Sequence, residues 1–271
     1  LKLATMVGSL LGSHKASEMV KAIRANQYVI HDETLSAEAL DQIPVTVFQS
    51  AARCFFDYFH YLPRPMELQE VVSISPEAQA ALERIQAQQS TVVVCPHLSN
   101  LDLLGYALTL QGINIQVLSY PNPNISYKLQ NRLRQDTGIN ITPMTLSAFR
   151  QARNRLQEGG SVLTGLDRPM GKKAGKYQPH FFGRPANLPV AYVRMALEAK
   201  APVILMAATS QANGAYRLVA SAPIWMTPDD DLETEIVANA EKVLQLAQTL
   251  ILTHADQWAM FYPIWPQYLG V

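Results

Sequence analysis

Two side chains suited to acid–base chemistry, His97 and Asp102, stand close together in the chain. His97 follows the apolar run at 92–96, which predicts the end of a buried strand, and Asp102 falls in the first turn of the helix predicted next. A histidine accepts a proton near neutral pH, and a carboxylate on its other ring nitrogen fixes the tautomer and stabilises the imidazolium. The pair therefore predicts a site that activates a hydroxyl group, with His97 as general base and Asp102 orienting it.

Other interpretations of this segment stay open. Ser99 and Asp102 have the spacing of a helix N-terminal capping box, in which the carboxylate only satisfies backbone N–H groups. Cys95, just before His97, would allow a thioester hydrolase with a cysteine nucleophile, although an apolar strand cysteine is usually inert packing. Backbone N–H groups near Ser99, where the helix begins, are the candidates for binding an oxyanion.

The elements around this segment alternate between strands and helices from residue 91 onward. The predicted strands are at 91–95, 113–119, 139–142, 161–166, 202–207 and 216–220, and the helices at 102–110, 128–138, 147–157, 190–199 and 232–252. Residues 1–90 are mainly helical in pattern, with segments at 16–25, 37–41, 45–60 and 76–88. We therefore expect one α/β domain over residues 1–271. It has a mainly parallel central sheet flanked by helices, an N-terminal helical region over 1–90, and ligands at the carboxyl ends of the strands.

The amino-acid composition indicates a globular protein without a metal site or a membrane-spanning helix. The chain has 271 residues, of which 48% are hydrophobic and 16% charged, enough for a large core. Its two cysteines lie in apolar contexts away from any metal-ligand spacing, so we expect a reducing compartment and no metal or other cofactor. No apolar run reaches the roughly 18 residues of a spanning helix, and no signal-peptide pattern precedes the domain.

The charge is zero overall but unevenly distributed. Residues 150–200 carry ten Lys and Arg against three Asp and Glu, and the loop at 171–176 holds three of the lysines. Such a segment attracts phosphates, and the loop would act as a basic lid. The alternative is a solvated surface that acidic residues elsewhere neutralise after folding.

These motifs resemble the glycerolipid acyltransferase superfamily, whose signature is H-x-x-x-x-D directly after a hydrophobic strand. More closely, the chain is similar to the bacterial branch with the lipid A biosynthesis lauroyl and myristoyl acyltransferases and the phosphatidylinositol mannoside acyltransferases. The lipid A enzymes commonly carry Glu where this chain has Asp102. The further matching motifs are Arg134 with Gly138, Glu158-Gly159-Gly160, Leu166-Asp167-Arg168, Phe181-Phe182-Gly183, the stretch 189–202 and Gln257-Trp258.

The resemblance implies an O-acyltransferase at a membrane surface. The donor would be acyl-CoA or an acyl carrier protein, and the acceptor a hydroxyl of a glycolipid or phospholipid, with no nucleic acid involved. His97 would deprotonate the acceptor, which attacks the thioester directly. The protein would bind the cytoplasmic face of the cell membrane peripherally, through an anionic lipid surface. The alternative to an enzyme is a non-catalytic module that binds a lipid or a phosphate.

The resemblance also assigns roles to other residues. Asp167 would orient His97 or the acceptor, and Arg168 would hold a phosphate, with a surface ion pair as the alternative. Arg134 would bind a phosphate or headgroup, or serve as a charge partner at the helix C-terminus. Phe181 and Phe182 would wall an acyl channel, although core packing is the simpler account for at least one. Residues 1–11 and 45–59 would form interfacial amphipathic surfaces or core helices.

Overall fold

The centre of the molecule is a mainly parallel β-sheet, seen in a computed structural model that describes residues 1–120, 125–171 and 175–271. Its strands are β1 (Val72–Ile74), β2 (Thr91–Cys95), β3 (Ile115–Ser119), β4 (Asn140–Pro143), β5 (Ser161–Gly165), β8 (Val203–Ser210) and β9 (Tyr216–Ala220), while β6 (His180–Phe181) and β7 (Arg184–Pro185) form a separate hairpin. Among the described residues the sheet has seven strands in the order β1-β9-β8-β2-β5-β3-β4. Every neighbouring pair is parallel except β8 and β9.

Helices cover both faces of this sheet. They are α1 (Lys2–Gly12), α2 (Glu18–Ile30), α3 (Ala37–Tyr61), α4 (Pro65–Glu70), α5 (Pro76–Gln86), α6 (Leu101–Leu110), α7 (Ile125–Asp136), α8 (Leu146–Gln157), α9 (Ala191–Ala199) and α10 (Leu232–Thr253). The predicted α/β class is confirmed, with a mixed, mostly parallel sheet and an N-terminal helical region. No described helix is long and apolar enough to cross a membrane.

The core explains why β2 is an unbroken apolar run. All five residues of β2 are buried, because the strand lies between β5 and β8 and has helices on both faces. Val92 and Val94 pack into one hydrophobic cluster, and Val93 and Cys95 into a second one. The alternation of side chains along a strand produces this division.

The N-terminal region differs from its prediction in the course of α3. The two segments expected at 37–41 and 45–60 are one helix of 25 residues, α3, which continues through Pro44. A proline inside a helix removes one backbone hydrogen bond, and here tight packing against α1 outweighs that cost. Gly8 and Gly12 lie so close to α3 that an added Cβ would fall 2.6 Å from the Phe48 oxygen and 2.5 Å from the Val45 Cα.

The short strand β1 also falls within the region expected to be helical. It pairs with β9 in parallel, from Val72 opposite Tyr216 to Ile74 opposite Leu218. Three residues are too few for an alternating pattern to stand out from the surrounding helices. The N-terminal region is therefore joined to the sheet by strand pairing as well as by helix packing.

Candidate active site

His97 and Asp167 make the closest contact between titratable groups at the carboxyl edge of the sheet. Nδ1 of His97 lies 2.6 Å from Oδ1 of Asp167, and the backbone N–H of His97 donates to Oδ2 at 2.8 Å. The Asp167 side chain is fully buried, whereas the His97 side chain is 42% exposed. The imidazole therefore turns Nδ1 toward a buried carboxylate, and Nε2 has no hydrogen-bond partner among the described residues.

Strand register brings these two residues together. β2 and β5 are parallel neighbours, and Cys95 lies opposite Gly165 at their carboxyl ends. His97 and Asp167 each come two positions later, so both chains deliver their side chains at the same edge. Gly165 contributes by having no side chain, because a Cβ there would lie 3.3 Å from Cε1 of His97.

Asp102 does not occupy the position predicted for it. Its carboxylate accepts hydrogen bonds from Arg134 Nε at 2.7 Å, from Arg134 Nη2 at 3.1 Å and from Gln130 Nε2 at 2.7 Å. The prediction that Asp102 orients His97 is therefore corrected, because Asp167 holds the ring nitrogen. The physical reason is that Asp102 lies on α6 and faces α7, which supplies both of its partners.

Arg134 is held in place as the other half of this ion pair. Its side chain is 16% exposed, donates from Nη1 to Asn131 at 3.0 Å, and lies 5.6 Å from the ring centroid of Tyr127. Burial disfavours the charge, but the attraction of Asp102 outweighs it and raises the pKa of the Arg134 guanidinium. The phosphate-binding role of Arg134 stays a prediction, and its charge is already balanced by a carboxylate.

The loop after β2 is not held by the predicted capping box of Ser99 and Asp102, and its contacts are different ones. Ser99 has a φ of 48°, and its N–H donates to the carbonyl of Gln257 at 3.0 Å. That N–H, a candidate for binding an oxyanion, is therefore already used. Helix α6 is capped by Asn100, whose Oδ1 accepts from Leu103 N at 3.3 Å, and the capping box of Ser99 and Asp102 does not form.

The C-terminal segment 257–259 contacts both members of the His97–Asp167 pair, which the sequence reasoning missed. Trp258 Nε1 donates to Oδ2 of Asp167 at 2.8 Å, and Ala259 N donates to the carbonyl of His97 at 3.0 Å. The side chain of Gln257 binds both backbone groups of Ser210, at 2.8 and 3.1 Å. The Gln257-Trp258 motif was the signal in the sequence, because it matched the family, but no function had been assigned to either residue.

Arg168, next to Asp167, is held by aromatic rings instead of a carboxylate. Its Cζ lies 4.1 Å from the ring centroids of both Tyr120 and Tyr262, and 5.5 Å from that of Tyr127. No described acidic side chain pairs with it, so the surface ion pair considered as an alternative is absent there. Aromatic rings attract the guanidinium without neutralising its charge, so Arg168 keeps a positive charge that an anion could bind.

The cysteines lie in surroundings that suppress their reactivity. Burial, and secondarily the charge of Asp167, raises the pKa of the Cys95 thiol, which is 2% exposed. Burial also raises the pKa of Cys54 to about 11. Cys95 packs among apolar residues such as Val93 and Leu103, which fits a structural role better than that of a nucleophile.

Other predicted residues lie apart from this pair. Phe181 is fully buried against Phe182 and Trp265, with ring centroids 4.6 and 5.8 Å away, so core packing accounts for it. An acyl channel walled by these rings stays a prediction. Lys172, Lys173 and residue 174 of the predicted basic lid lie outside the described residues. A cleft of about 320 Å³ beside Arg155 and Gly160 opens where β5 begins, at the edge opposite His97.

Comparison with known proteins identifies the family of the chain. No match was found among curated proteins. The model of the bacterial lipid A biosynthesis acyltransferase family, however, matches residues 1–267, nearly the whole length of the chain. The chain belongs to the bacterial lipid A biosynthesis acyltransferase family, and it is an acyltransferase of lipid biosynthesis.

Proposed function

We propose that this acyltransferase moves a fatty acyl group from the thioester of acyl-CoA or an acyl carrier protein to a hydroxyl of a glycolipid or phospholipid. One observation carries the proposal. His97 binds a buried carboxylate through Nδ1 at 2.6 Å, while its side chain is 42% exposed at the sheet edge. A neutral imidazole oriented in this way has a basic Nε2 directed away from the carboxylate, which is the arrangement of a general base.

The reaction follows from that geometry. Nε2 of His97 removes the proton of the acceptor hydroxyl as its oxygen attacks the thioester carbonyl carbon. The new C–O bond forms, the C–S bond breaks, and the imidazolium returns the proton to the leaving thiolate. Asp167 stabilises the transient imidazolium and holds the tautomer. General-base catalysis, here by His97, typically contributes about 10² to 10⁴-fold. No acyl-enzyme is needed in this scheme.

Arg168 is the residue we assign to binding a substrate anion. It follows Asp167 directly, and its charge is unpaired among the described acidic residues, while Tyr120 and Tyr262 hold the guanidinium. Acyl-CoA, the carrier-protein prosthetic group and a phospholipid acceptor all contain phosphate. A planar guanidinium is well suited to bind a phosphate through two parallel N–H bonds.

Asp102 and Arg134 have a different task in this proposal. Their hydrogen bonds, at 2.7 and 3.1 Å, connect α6 to α7 across the strand-end region of the sheet. The pair fixes the first turn of α6, where Asp102 lies five positions after the proposed general base His97. It positions the loop that carries His97 and leaves binding of the substrate anion to Arg168.

We place the protein on a lipid bilayer, at its cytoplasmic face, through α1 and the end of α3. The exposed apolar residues of this surface are Leu1 just before α1, Leu3, Met6, Val7, Leu10 and Leu11 on α1, and Phe55, Phe56 and Phe59 on α3. Helix α1 contains Lys2 and no acidic residue, which suits an anionic lipid surface. The acceptor substrates of this family are lipids, so a bilayer is the partner that we propose for this surface.

The apolar surface continues toward the site. Cys54, next to Phe55, accepts a hydrogen bond through its carbonyl from Asn100 Nδ2 at 2.8 Å. Asn100 in turn caps α6, three positions after His97. A protein docked by these phenylalanines would therefore hold its general base close to the lipid that supplies the acceptor.

Replacing His97 tests the proposal. The His97→Ala variant should fold as the parent does and lose transfer of a radiolabelled acyl group from acyl-CoA or acyl carrier protein to extracted lipids. His180→Ala is the matched control, because His180 also binds a carboxylate, Glu241, with Nδ1 at 2.9 Å, but lies on the β6–β7 hairpin, separate from the central sheet. Transfer by His97→Ala at the parental rate would overturn the proposal.

A further inference from the structure

Trp258 contacts the orienting carboxylate from the side opposite the imidazole. The indole is 1% exposed, and its Nε1 lies 2.8 Å from Oδ2 of Asp167. The same oxygen accepts the backbone N–H of His97 at 2.8 Å, whereas Oδ1 faces Nδ1 at 2.6 Å. The two carboxylate oxygens therefore have separate tasks: two N–H donors hold one, and the imidazole binds the other.

The indole is delivered by the segment that also holds His97. Residues 257–259 pair with the loop after β2, since Ser99 N donates to the Gln257 carbonyl and Ala259 N to the His97 carbonyl, both at 3.0 Å. Gln257 anchors the segment by binding Ser210 at the end of β8. One short stretch thus fixes both the backbone of His97 and the carboxylate that its ring requires.

The chemistry explains what an N–H group does at this position. A buried carboxylate is costly unless its lone pairs are satisfied, and a donor on Oδ2 stabilises the ionised form. It also prevents the carboxylate from rotating, so that Oδ1 stays opposite Nδ1–H. Without the indole N–H, Asp167 would keep its contacts with His97 but lose the one donor that comes from outside the pair among the described residues.

We propose that Trp258 is a positioning residue, whose indole N–H fixes the Asp167 carboxylate and thereby the tautomer and angle of the His97 ring. The inference rests on the proposed role of His97. This positioning role differs from a role in core packing, because the effect on catalysis would come from the indole N–H group and not from the volume of the ring.

Trp265 provides a matched control for this distinction. It is also 1% exposed and belongs to the same hydrophobic cluster as Trp258. Its Nε1 is buried and has no hydrogen-bond partner among the described residues. Replacing either tryptophan by phenylalanine removes a similar buried volume, but only one replacement removes a hydrogen bond to Asp167.

The experiment compares Trp258→Phe with Trp265→Phe in the full chain. We expect both variants to lose stability. Trp258→Phe should also lose about 10- to 100-fold in kcat, the range of a lost hydrogen bond to a charged group, with KM for the acyl donor unchanged. Trp265→Phe should keep kcat within about twofold.

A spectroscopic measurement separates this inference from the proposed function. In ¹⁵N-histidine-labelled protein, the low-field proton resonance of His97 Nδ1–H should move in Trp258→Phe and stay in Trp265→Phe. The resonance reports on the hydrogen bond to Asp167 even if His97→Ala were to retain transfer activity. An unmoved resonance in Trp258→Phe, or equal losses of kcat in the two variants, would overturn the inference.

A second variant covers the case in which Trp258→Phe does not fold. Benzothienylalanine placed at position 258 by nonsense suppression keeps the shape of the ring system and replaces N–H by sulfur. It should fold, and it should show the same fall in kcat and the same shift of the His97 resonance. Parental kcat with this residue at position 258 would show that the ring volume alone matters.

Discussion

The carboxylate of Asp167 lies 2.6 Å from Nδ1 of His97, although 70 positions separate the two residues in the chain. The parallel pairing of β2 with β5 produces this contact, because Cys95 and Gly165 lie opposite each other just before the two residues. Asp102, much nearer in sequence, is instead bound to Arg134 on α7. Substitution of Asp167 should therefore affect catalysis, whereas substitution of Asp102 should affect stability.

Asp167→Asn should lower kcat by about 10² to 10⁴-fold with little change in KM, by analogy with loss of the orienting carboxylate in a catalytic triad. The amide oxygen would stay with the two N–H donors on Oδ2, so the amide NH₂ would face Nδ1. The imidazole must then carry its proton on Nε2, where it cannot act as a base. Steady-state kinetics with an acyl thioester measure this effect.

Asp102→Asn is the matched comparison. It leaves Arg134 partly buried without a carboxylate, so we expect a loss of about 1–3 kcal/mol in the free energy of unfolding, measured by urea denaturation. Any fall in activity should accompany that loss, and the double variant D102N/R134Q should recover part of the stability. A large fall in kcat in Asp102→Asn with unchanged stability would assign the orienting role to Asp102 after all.

Gly165→Ala should disturb the His97 ring directly. The new methyl group would lie 3.3 Å from Cε1 of His97, so the ring must shift by a few tenths of an ångström. Since a misplacement of about 1 Å can cost around 10²-fold in rate, we expect kcat to fall several-fold. Gly270→Ala is the control, because a Cβ there meets no atom within 4 Å. Equal kcat in both variants would show that the ring has room to move.

The cysteines should be inert toward both substrate and alkylating reagents. Burial raises the pKa of Cys54 to about 11 and raises that of Cys95 as well, so the thiolate that reacts is scarce below pH 9. Iodoacetamide labelling of the folded protein, followed by mass spectrometry, should be negligible at pH 7.5 and rise for Cys54 as the pH approaches 11. Cys95→Ala should retain acyl transfer. An acyl group trapped on Cys95 would favour the thioester hydrolase instead.

The fold and the place of His97 at the sheet edge could be predicted from the sequence because local patterns carry that information. The β2 run is continuous and apolar since the strand is buried on both faces, and the edge at which His97 lies follows from parallel pairing. The partner of His97 was harder to predict. The motif spacing favoured Asp102, but the direction of its side chain depends on where α7 packs, and α7 lies beyond another strand in the sequence.

The contact of Trp258 with Asp167 and the packing of Arg168 against tyrosines could not be predicted from local sequence patterns either, because both depend on tertiary packing. Both depend on the C-terminal segment, which returns to the sheet edge through contacts with β8 and the loop after β2. Long-range contacts of this kind leave no periodic signal in a single sequence. The continuous helix α3 also depends on tertiary contacts, because two segments were predicted at 37–41 and 45–60 and packing against Gly8 and Gly12 supports one helix through Pro44.

Arg168→Gln should weaken binding of a phosphate-containing substrate. We expect KM to rise about 10- to 100-fold, the range for loss of a charge-assisted pair of hydrogen bonds, when the phosphate belongs to the substrate that Arg168 contacts. Comparing acyl-CoA with an acyl N-acetylcysteamine thioester, which has no phosphate, separates donor from acceptor. If only the acyl-CoA KM changes, the anion is on the donor; if only the KM for a phosphorylated acceptor changes, it is on the acceptor.

Arg217→Gln is the control for that experiment, because Arg217 is exposed on β9, away from the tyrosines that hold Arg168. It should leave every KM within about twofold. Arg168→Lys keeps the charge but loses the planar stacking on Tyr120 and Tyr262, so it should rescue binding only partly. Unchanged KM values for all substrates in Arg168→Gln would remove Arg168 from the binding site.

The apolar surface of α1 should determine binding to lipid bilayers. Leu3 and Leu10, 68% and 74% exposed, lie on the outward face of α1, while Gly8 and Gly12 pack against α3. Burying a leucine side chain in an apolar phase contributes about 1.5–3 kcal/mol, so the double variant L3Q/L10Q should lose at least tenfold in partitioning to anionic vesicles. Sedimentation with vesicles measures the partitioning.

The double variant L246Q/L252Q serves as the control, because both leucines are exposed on α10. It removes the same number of apolar side chains from a surface without the α1 and α3 cluster, so vesicle binding should be unchanged. Transfer to a short-chain, water-soluble acceptor should stay at the parental rate in both variants, since neither alters the contacts of His97. Equal loss of vesicle binding in the two variants would mean that apolar exposure in general, and not the α1 surface, attaches the protein to lipid.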